Sequence, residues 1–278
     1  MDIATMPRGG FDASWLDRRL QTDRPEYLDR DDVDDRVKRQ VIWSLDWMGR
    51  ILRDHDHLAA RALPLVADVA NPKILELGAG HGALSRTVLK LHATAQVTVT
   101  DIDPVSVSNI AAGDLGRHPR AAVRRVDATD IDAPDGSYDL ALFALSFHHL
   151  RPVQAARVLT EGTRVADKLV VCDLRRPPAP VHLLRLASML PFVFLPFAHD
   201  GLISSLRAYS PSAFQALASS QSEWVLDARR KMVGEDHISR MMILSSSLDQ
   251  VDSGPRWKCR MSPRMWSASG WVSRKAST

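Results

Sequence analysis

Glu76-Leu77-Gly78-Ala79-Gly80-His81-Gly82 puts an acid and three alternating glycines between an apolar run and a helical pattern. Glycine, lacking Cβ, turns the backbone tightly and lets a bulky cofactor lie against the main chain. The helix that follows points its first N–H groups at the same spot. Two further acids end apolar runs: Asp101 after Val97-Thr98-Val99-Thr100, and Asp127 after Arg125-Val126. An ionised carboxylate is acceptor-only with two oxygens, which suits it to a pair of hydroxyls. Asp101 stands 21 residues beyond Gly80, the distance expected of a ribose-binding acid. Asp103, just before Pro104, is the better cap for the next helix. Glu76 in a mostly apolar strand needs a partner, because burying an unpaired carboxylate is costly.

A second polar group, Ser146-Phe147-His148-His149-Leu150, closes the run from Tyr138. Histidine titrates near neutral pH, so His148 or His149 is a candidate to take a proton from a hydroxyl or an acidic carbon. The competing role is capping or packing on the next helix. Further on, His199, Asp200, Arg207 and Tyr209 emerge from an apolar context, as a substrate pocket requires. Structural pairing of Asp200 with Arg207 and packing of Tyr209 weigh equally. No Cys or His pair has zinc-site spacing, so no metal is expected.

The elements that would position these residues alternate. Apolar runs predict strands at 73–77, 96–100, 122–126, 139–145 and 168–172, with helices at 83–92, 104–115 and 152–166 between them. Such alternation implies a parallel sheet covered on both faces, with ligands at the carboxyl ends of the strands. Before it, Val37, Val41, Leu45, Met48 and Leu52 mark one helix face, and a second helix spans 57–69. Residues 1–30 read as a polar loop. A final antiparallel strand pair is expected at 224–228 and 241–244. The predicted fold is therefore α/β and Rossmann-like: a doubly wound, mostly parallel seven-stranded sheet with N-terminal helices and a helical cap insertion. Its parts are a helical segment (1–70) contributing to the cap, a cofactor-binding domain (71–248) with the cap at 174–208, and a basic tail (249–278).

Composition narrows the setting. The 278 residues are 45% hydrophobic and 25% charged, ordinary for a globular chain. Two cysteines, one in a predicted strand, suggest no disulfide framework, and a cytoplasmic location is expected. The net charge of +3 conceals a split: residues 228–278 carry +6 and the remaining 227 carry −3. Charge therefore supplies no argument for a nucleic-acid partner. The apolar stretch 181–198 is broken by Arg185, Pro191 and Pro196, too short to span a bilayer. A buried helix pair is the first reading of it, and an interfacial surface admitting greasy substrates the second. Homodimerisation is left open.

Taken together, the glycine turn with Glu76, Asp101 and Asp127 resembles the S-adenosylmethionine (SAM) site of class I methyltransferases. The Phe147-His148-His149-Leu150 ending is similar to that of the ubiquinone- and menaquinone-biosynthesis type and related bacterial small-molecule enzymes. The resemblance covers about 73–173 well and the tail hardly at all. It implies SAM contacts from Glu76, Gly78, Ala79, Gly80, Gly82, Asp101, Ile102, Asp127, Ala128 and Ser146. Glu76 would face the methionine end and Asp127-Ala128 the adenine amino group. The implied activity is methyl transfer to a small, hydrophobic phenol, quinone or polyketide-like acceptor. Leu145-Ser146-Phe147-His148 lacks the Asn/Asp-Pro-Pro-aromatic turn of enzymes acting on base nitrogens or glutamine amides. An NAD(P)-dependent oxidoreductase and a non-catalytic SAM-binding protein are the alternatives. Gly-x-Gly-x-Gly spacing counts against the first.

Overall fold

The computed structural model describes residues 2–219, 225–227 and 239–245. Three helices come first: α1 (Trp15–Arg19), α2 (Asp35–Leu52) and α3 (Asp54–Ala62). The alternating part follows as β1 (Lys73–Leu77), α4 (Ala83–Leu91), β2 (Gln96–Asp101), α5 (Pro104–Ala112) and β3 (Ala121–Arg125). It continues through β4 (Leu140–Ala144), α6 (Pro152–Val165) and β5 (Lys168–Leu174). Then come α7 (Ala179–Met189), α8 (Pro196–Arg207), α9 (Pro211–Ser219), β6 (Val225–Asp227) and β7 (Ser239–Ser245).

Local chemistry sets several boundaries. Asp34 accepts the Arg36 N–H at 2.7 Å to start α2. Asp103 accepts from Val105 (3.2 Å) and Ser106 (2.9 Å) at the head of α5, with Pro104 in the first helical position. Pro64 has no N–H to give, so α3 tightens into a 3-10 turn at Leu63–Val66 instead of running on to 69.

The sheet has the order β3-β2-β1-β4-β5-β7-β6, and its first five strands are mutually parallel. At the β5 edge, β7 and then β6 add antiparallel. The chain moves from β1 outward to β3, then returns to place β4 on the other side of β1. The strand order thus reverses between β1 and β4, the position where open α/β sheets bind ligands.

Side-chain alternation splits the core between the two faces. Leu75, Leu77, Ala141, Phe143, Leu169 and Val171 pack on one side with α6, α9 and Phe147. Ile74, Val97, Val99, Leu140, Leu142 and Val170 pack on the other with α3, α4 and α5. Glu76 shares the second face with Ile74, which aims its carboxylate at α4.

The N-terminal reading needs correction. Residues 2–30 contain α1 and two 3-10 turns, Ile3–Thr5 and Tyr27–Asp29, and they bury Met6, Arg8 and Glu26. They are ordered by contacts with distant parts of the chain, which local polarity does not reveal. On α2 Val41 of the predicted face is fully buried, whereas Leu45 and Met48 are exposed, as are Trp43 and Trp47. Residues 174–208 form α7, a 3-10 turn at Leu190–Phe192 and α8; α8 packs against α2 and the turn at Phe147–His149. Among the described residues no helix is long and apolar enough to cross a membrane. The tail at 249–278 lies outside the described residues.

Candidate active site

The carboxyl ends of β1, β2 and β4 converge on the glycine turn. Gly78, Gly80 and Gly82 all have positive φ. At Gly78 (φ 62°) a Cβ would stand 3.0 Å from the Phe143 ring and 3.2 Å from Ser146 Cβ; at Gly82 (φ 79°) it would stand 2.5 Å from Leu115. The turn thus requires glycine for both backbone shape and space. Asp101, nearly buried, holds this turn: its Oδ2 accepts the Gly80 N–H at 2.8 Å and its Oδ1 the Asp103 N–H at 2.9 Å. The Ala79 N–H donates to the Thr100 carbonyl at 2.9 Å, so β1 and β2 carry their acids in fixed register. Ile102 lies beside them and is 56% exposed.

Glu76 is buried at the end of β1 and accepts a short hydrogen bond from the Ser85 hydroxyl of α4. Burial raises its pKa to about 7. Ser146 leans its hydroxyl over the turn, 3.3 Å from the Gly78 carbonyl. Its predecessor Leu145 has φ 55°, a left-handed conformation that costs a branched residue roughly 1–2 kcal/mol. The Leu145 N–H to the Cys172 carbonyl, at 2.7 Å, helps hold it there. Asp127 is exposed beyond β3, and its Oδ1 accepts from the Thr129 N–H (2.8 Å) and hydroxyl (2.7 Å). Ala128 packs against the core. Asp127 thus shapes its own turn, tied to Asp101 through the Val126 N–H on the Asp101 carbonyl at 3.0 Å.

The second half of the site is an ion network. Asp173, at the end of β5, accepts from the backbone N–H and Nδ1 of His148 at 2.6 and 2.7 Å. Despite opposing burial, Asp173 and Glu26 raise the His148 pKa to about 10. The ring of His148 thus lies between two carboxylates, Asp173 on Nδ1 and Glu26 on the Nε2 side. His149 turns Nδ1 to Asp29 at 2.9 Å, and its side chain is 28% exposed.

The three residues expected to line a substrate pocket are engaged as well. Arg207 donates to Asp29 (3.0 Å) and to the His149 carbonyl (2.6 Å). Asp200 accepts the Tyr27 N–H at 2.8 Å and meets His199 Nδ1 at 3.0 Å. The Tyr209 hydroxyl donates to the Leu150 carbonyl at 2.8 Å. Asp200 and Arg207 therefore have separate partners, and Asp200 Oδ2 and Arg207 Nε are buried with no hydrogen-bond partner among the described residues. Most of their partners are backbone or N-terminal groups that need satisfaction when buried, and His199 is a side-chain neighbour of Asp200.

Four important residues escaped the sequence reading: Arg8, Glu26, Asp29 and Asp173. Arg8 donates to the carbonyls of His148 (2.9 Å) and Arg207 (2.5 Å) and lies over the Tyr209 ring. Glu26 and Asp29 have capping-box spacing, which marks a helix start but not a buried cluster. Asp173 ends an apolar strand exactly as Asp101 does, and that signal was available.

The glycine cradle, with open space beside Gly80, together with the strand-end acids fits an adenosyl cofactor. The fold and this cradle define a class I SAM-dependent methyltransferase, and residues 74–168 match the family of methyltransferase domains. Residues 74–168 thus form a methyltransferase domain of that class, whose cofactor is SAM. Among named proteins it is similar to the demethylmenaquinone methyltransferases of two strains of Tropheryma whipplei, at 30% identity over 176 residues. The match takes in 60% of this chain and spans 66% of the length of these curated relatives. In fold it is similar to the plantazolicin methyltransferase BpumL in complex with SAH, with TM-score 0.55 and 12% identity over 76% of this chain and 90% of that one. A Galdieria sulphuraria structure described as a sarcosine dimethylglycine methyltransferase gives TM-score 0.50 and 16% identity over 70% and 86%.

Proposed function

We propose that this chain transfers the methyl group of SAM to a small, hydrophobic acceptor, a phenol, quinone or polyketide-like molecule. The observation that carries the reading is Asp101 locked to the Gly80 turn at the point where the strand order reverses. SAM supplies an electrophilic methyl on a sulfonium. In this reading Asp101 accepts from the ribose hydroxyls, Glu76 takes the methionine ammonium, and Asp127-Ala128 flank the adenine. Ser146 and Leu145 border the space beyond the glycine turn, and the ion network fixes that edge. The chain contributes mainly by holding the reactants in line, the source of a large share of rate in such displacements.

The acceptor class rests on two supports. The curated relatives are named for a demethylmenaquinone substrate. On α7 and the following turn, Leu184 and Phe194 are 72% and 76% exposed, apolar surface suited to a greasy molecule. Calorimetric titration with SAM and SAH should show one site per chain, followed by methylation of a demethylated naphthoquinol. A folded sample that binds neither adenosyl compound would sink the reading, and binding of NADH instead would favour the oxidoreductase.

The titration should also depend on pH. With a pKa of about 7 against the usual 4.5, Glu76 is protonated in the free protein below pH 7. The ammonium of SAM requires the ionised form. Affinity should therefore rise about tenfold per unit between pH 5 and 7 and level off above. Glu76→Gln should flatten that profile. A wild-type profile already flat would remove Glu76 from the methionine end.

A further inference from the structure

We propose that Glu26, His148 and His149 form a binding site for a divalent transition-metal ion of the zinc type. One ligand atom from each lies within 4.8 Å of the other two. The two imidazoles are set as metal ligands are. Nδ1 of His148 faces Asp173 at 2.7 Å and Nδ1 of His149 faces Asp29 at 2.9 Å. This turns both Nε2 atoms toward Glu26, at 3.4 Å from Oε1 and 3.8 Å from Oε2. Metal-bound histidines almost always give their other N–H to a carboxylate or carbonyl, and ligating carboxylates are themselves hydrogen-bonded. Glu26 satisfies the latter through the Ser204 hydroxyl on Oε1 at 2.7 Å.

The spacing discriminates between a shared ion and a direct bond. A good N–H···O contact measures about 2.7–3.2 Å. Ligands about 2.0–2.2 Å from a tetrahedral zinc stand roughly 3.3–3.6 Å apart. The 3.4 Å separation from His148 falls in that range, and the 3.8 Å one from His149 lies a little beyond it, too long for a direct bond.

The local charge agrees. Glu26, Asp29 and Asp173 surround the pair, and Arg207 engages Asp29. Arg207 and Arg8 also donate to the backbone carbonyls of His149 and His148, so neither guanidinium takes the place between the imidazoles and Glu26. A proton on His148 partly fills that role in the metal-free chain, and the ion would displace it. Two imidazole nitrogens and one carboxylate suit zinc and its late first-row neighbours. A fourth position would remain for water or an oxygen of a bound molecule. Adjacent histidines lack conventional ligand spacing because the third ligand comes from the N-terminal segment.

The test uses the full chain, free of any affinity tag and stripped with a chelator. Zn2+ is titrated by calorimetry and Co2+ by visible absorption, neither of which depends on methyl transfer. One ion per chain is expected, with cobalt bands of a four-coordinate site. His149→Ala should weaken Zn2+ binding at least 100-fold, and Asp29→Asn about 10–100-fold, with circular dichroism confirming the fold. His149 is partly exposed, so its variant keeps the test valid even where a change at buried Glu26 prevents folding. Failure of the wild type to bind one ion, or undiminished binding by His149→Ala, would overturn the proposal.

Discussion

Replacing Asp101 by alanine is expected to weaken SAM binding by about 100-fold while leaving the chain folded. Two terms act together. The carboxylate would accept charge-assisted bonds from the cofactor's ribose hydroxyls, each worth roughly 1.5–3 kcal/mol. It also fixes the turn that the cofactor lies on, through the Gly80 and Asp103 N–H groups. The loss of roughly 3 kcal/mol corresponds to about two decades in Kd. Asp101→Asn should fall between wild type and alanine, since it keeps one acceptor oxygen but loses the charge. Calorimetry with SAH measures the change without turnover. A loss below threefold would mean that the diol is held elsewhere.

Asp173→Ala is expected to have the largest effect on stability, lowering Tm by about 10 °C. Asp173 is buried and accepts from the His148 N–H, His148 Nδ1 and its own successor's N–H. Removing one member of a buried ion pair costs about 3–5 kcal/mol, because the remaining charge is left without its counterpart. For a chain of this size each kcal/mol moves Tm by roughly 2–4 °C. SAH affinity of the folded variant should stay within about threefold of wild type, because Asp101 and the Gly80 turn are bonded to each other and not to Asp173 or His148. Thermal melting and calorimetry on the same preparation separate the two effects. A Tm within 2 °C of wild type would show that water replaces the lost acceptor.

The two variants fall on opposite sides of a boundary in what the sequence could reveal. Glu76, the glycine turn and Asp101 lie within one β-α-β unit, where apolar period and strand-end acids announce themselves locally. The acceptor side is assembled from pieces with no common period. Glu26 and Asp29 sit in a segment whose composition reads as a polar loop, yet Glu26 is buried because His148 and Ser204 are waiting for it. Asp200, Arg207 and Tyr209 stand near the expected place, but their partners are backbone groups of Tyr27, His149 and Leu150. Residue type signals a need for a partner and does not say which one. The sheet was legible by contrast: helices between the first five strands imply parallel pairing, and the two terminal strands run against those five.

The N-terminal segment joins the rest through bonds that close very long loops. Gly9 accepts from Ser210, 201 positions away, and Arg8 reaches the carbonyl of Arg207, 199 positions away. During synthesis at about 5–20 residues per second, the segment around Arg8 and Gly9 waits on the order of 10–40 s for those partners. The unit from β1 to β3 needs no such delay, because its contacts are close in sequence. A nascent chain can thus complete its cofactor cradle while its acceptor side is still open, and the segment around Arg8 is among the last to settle.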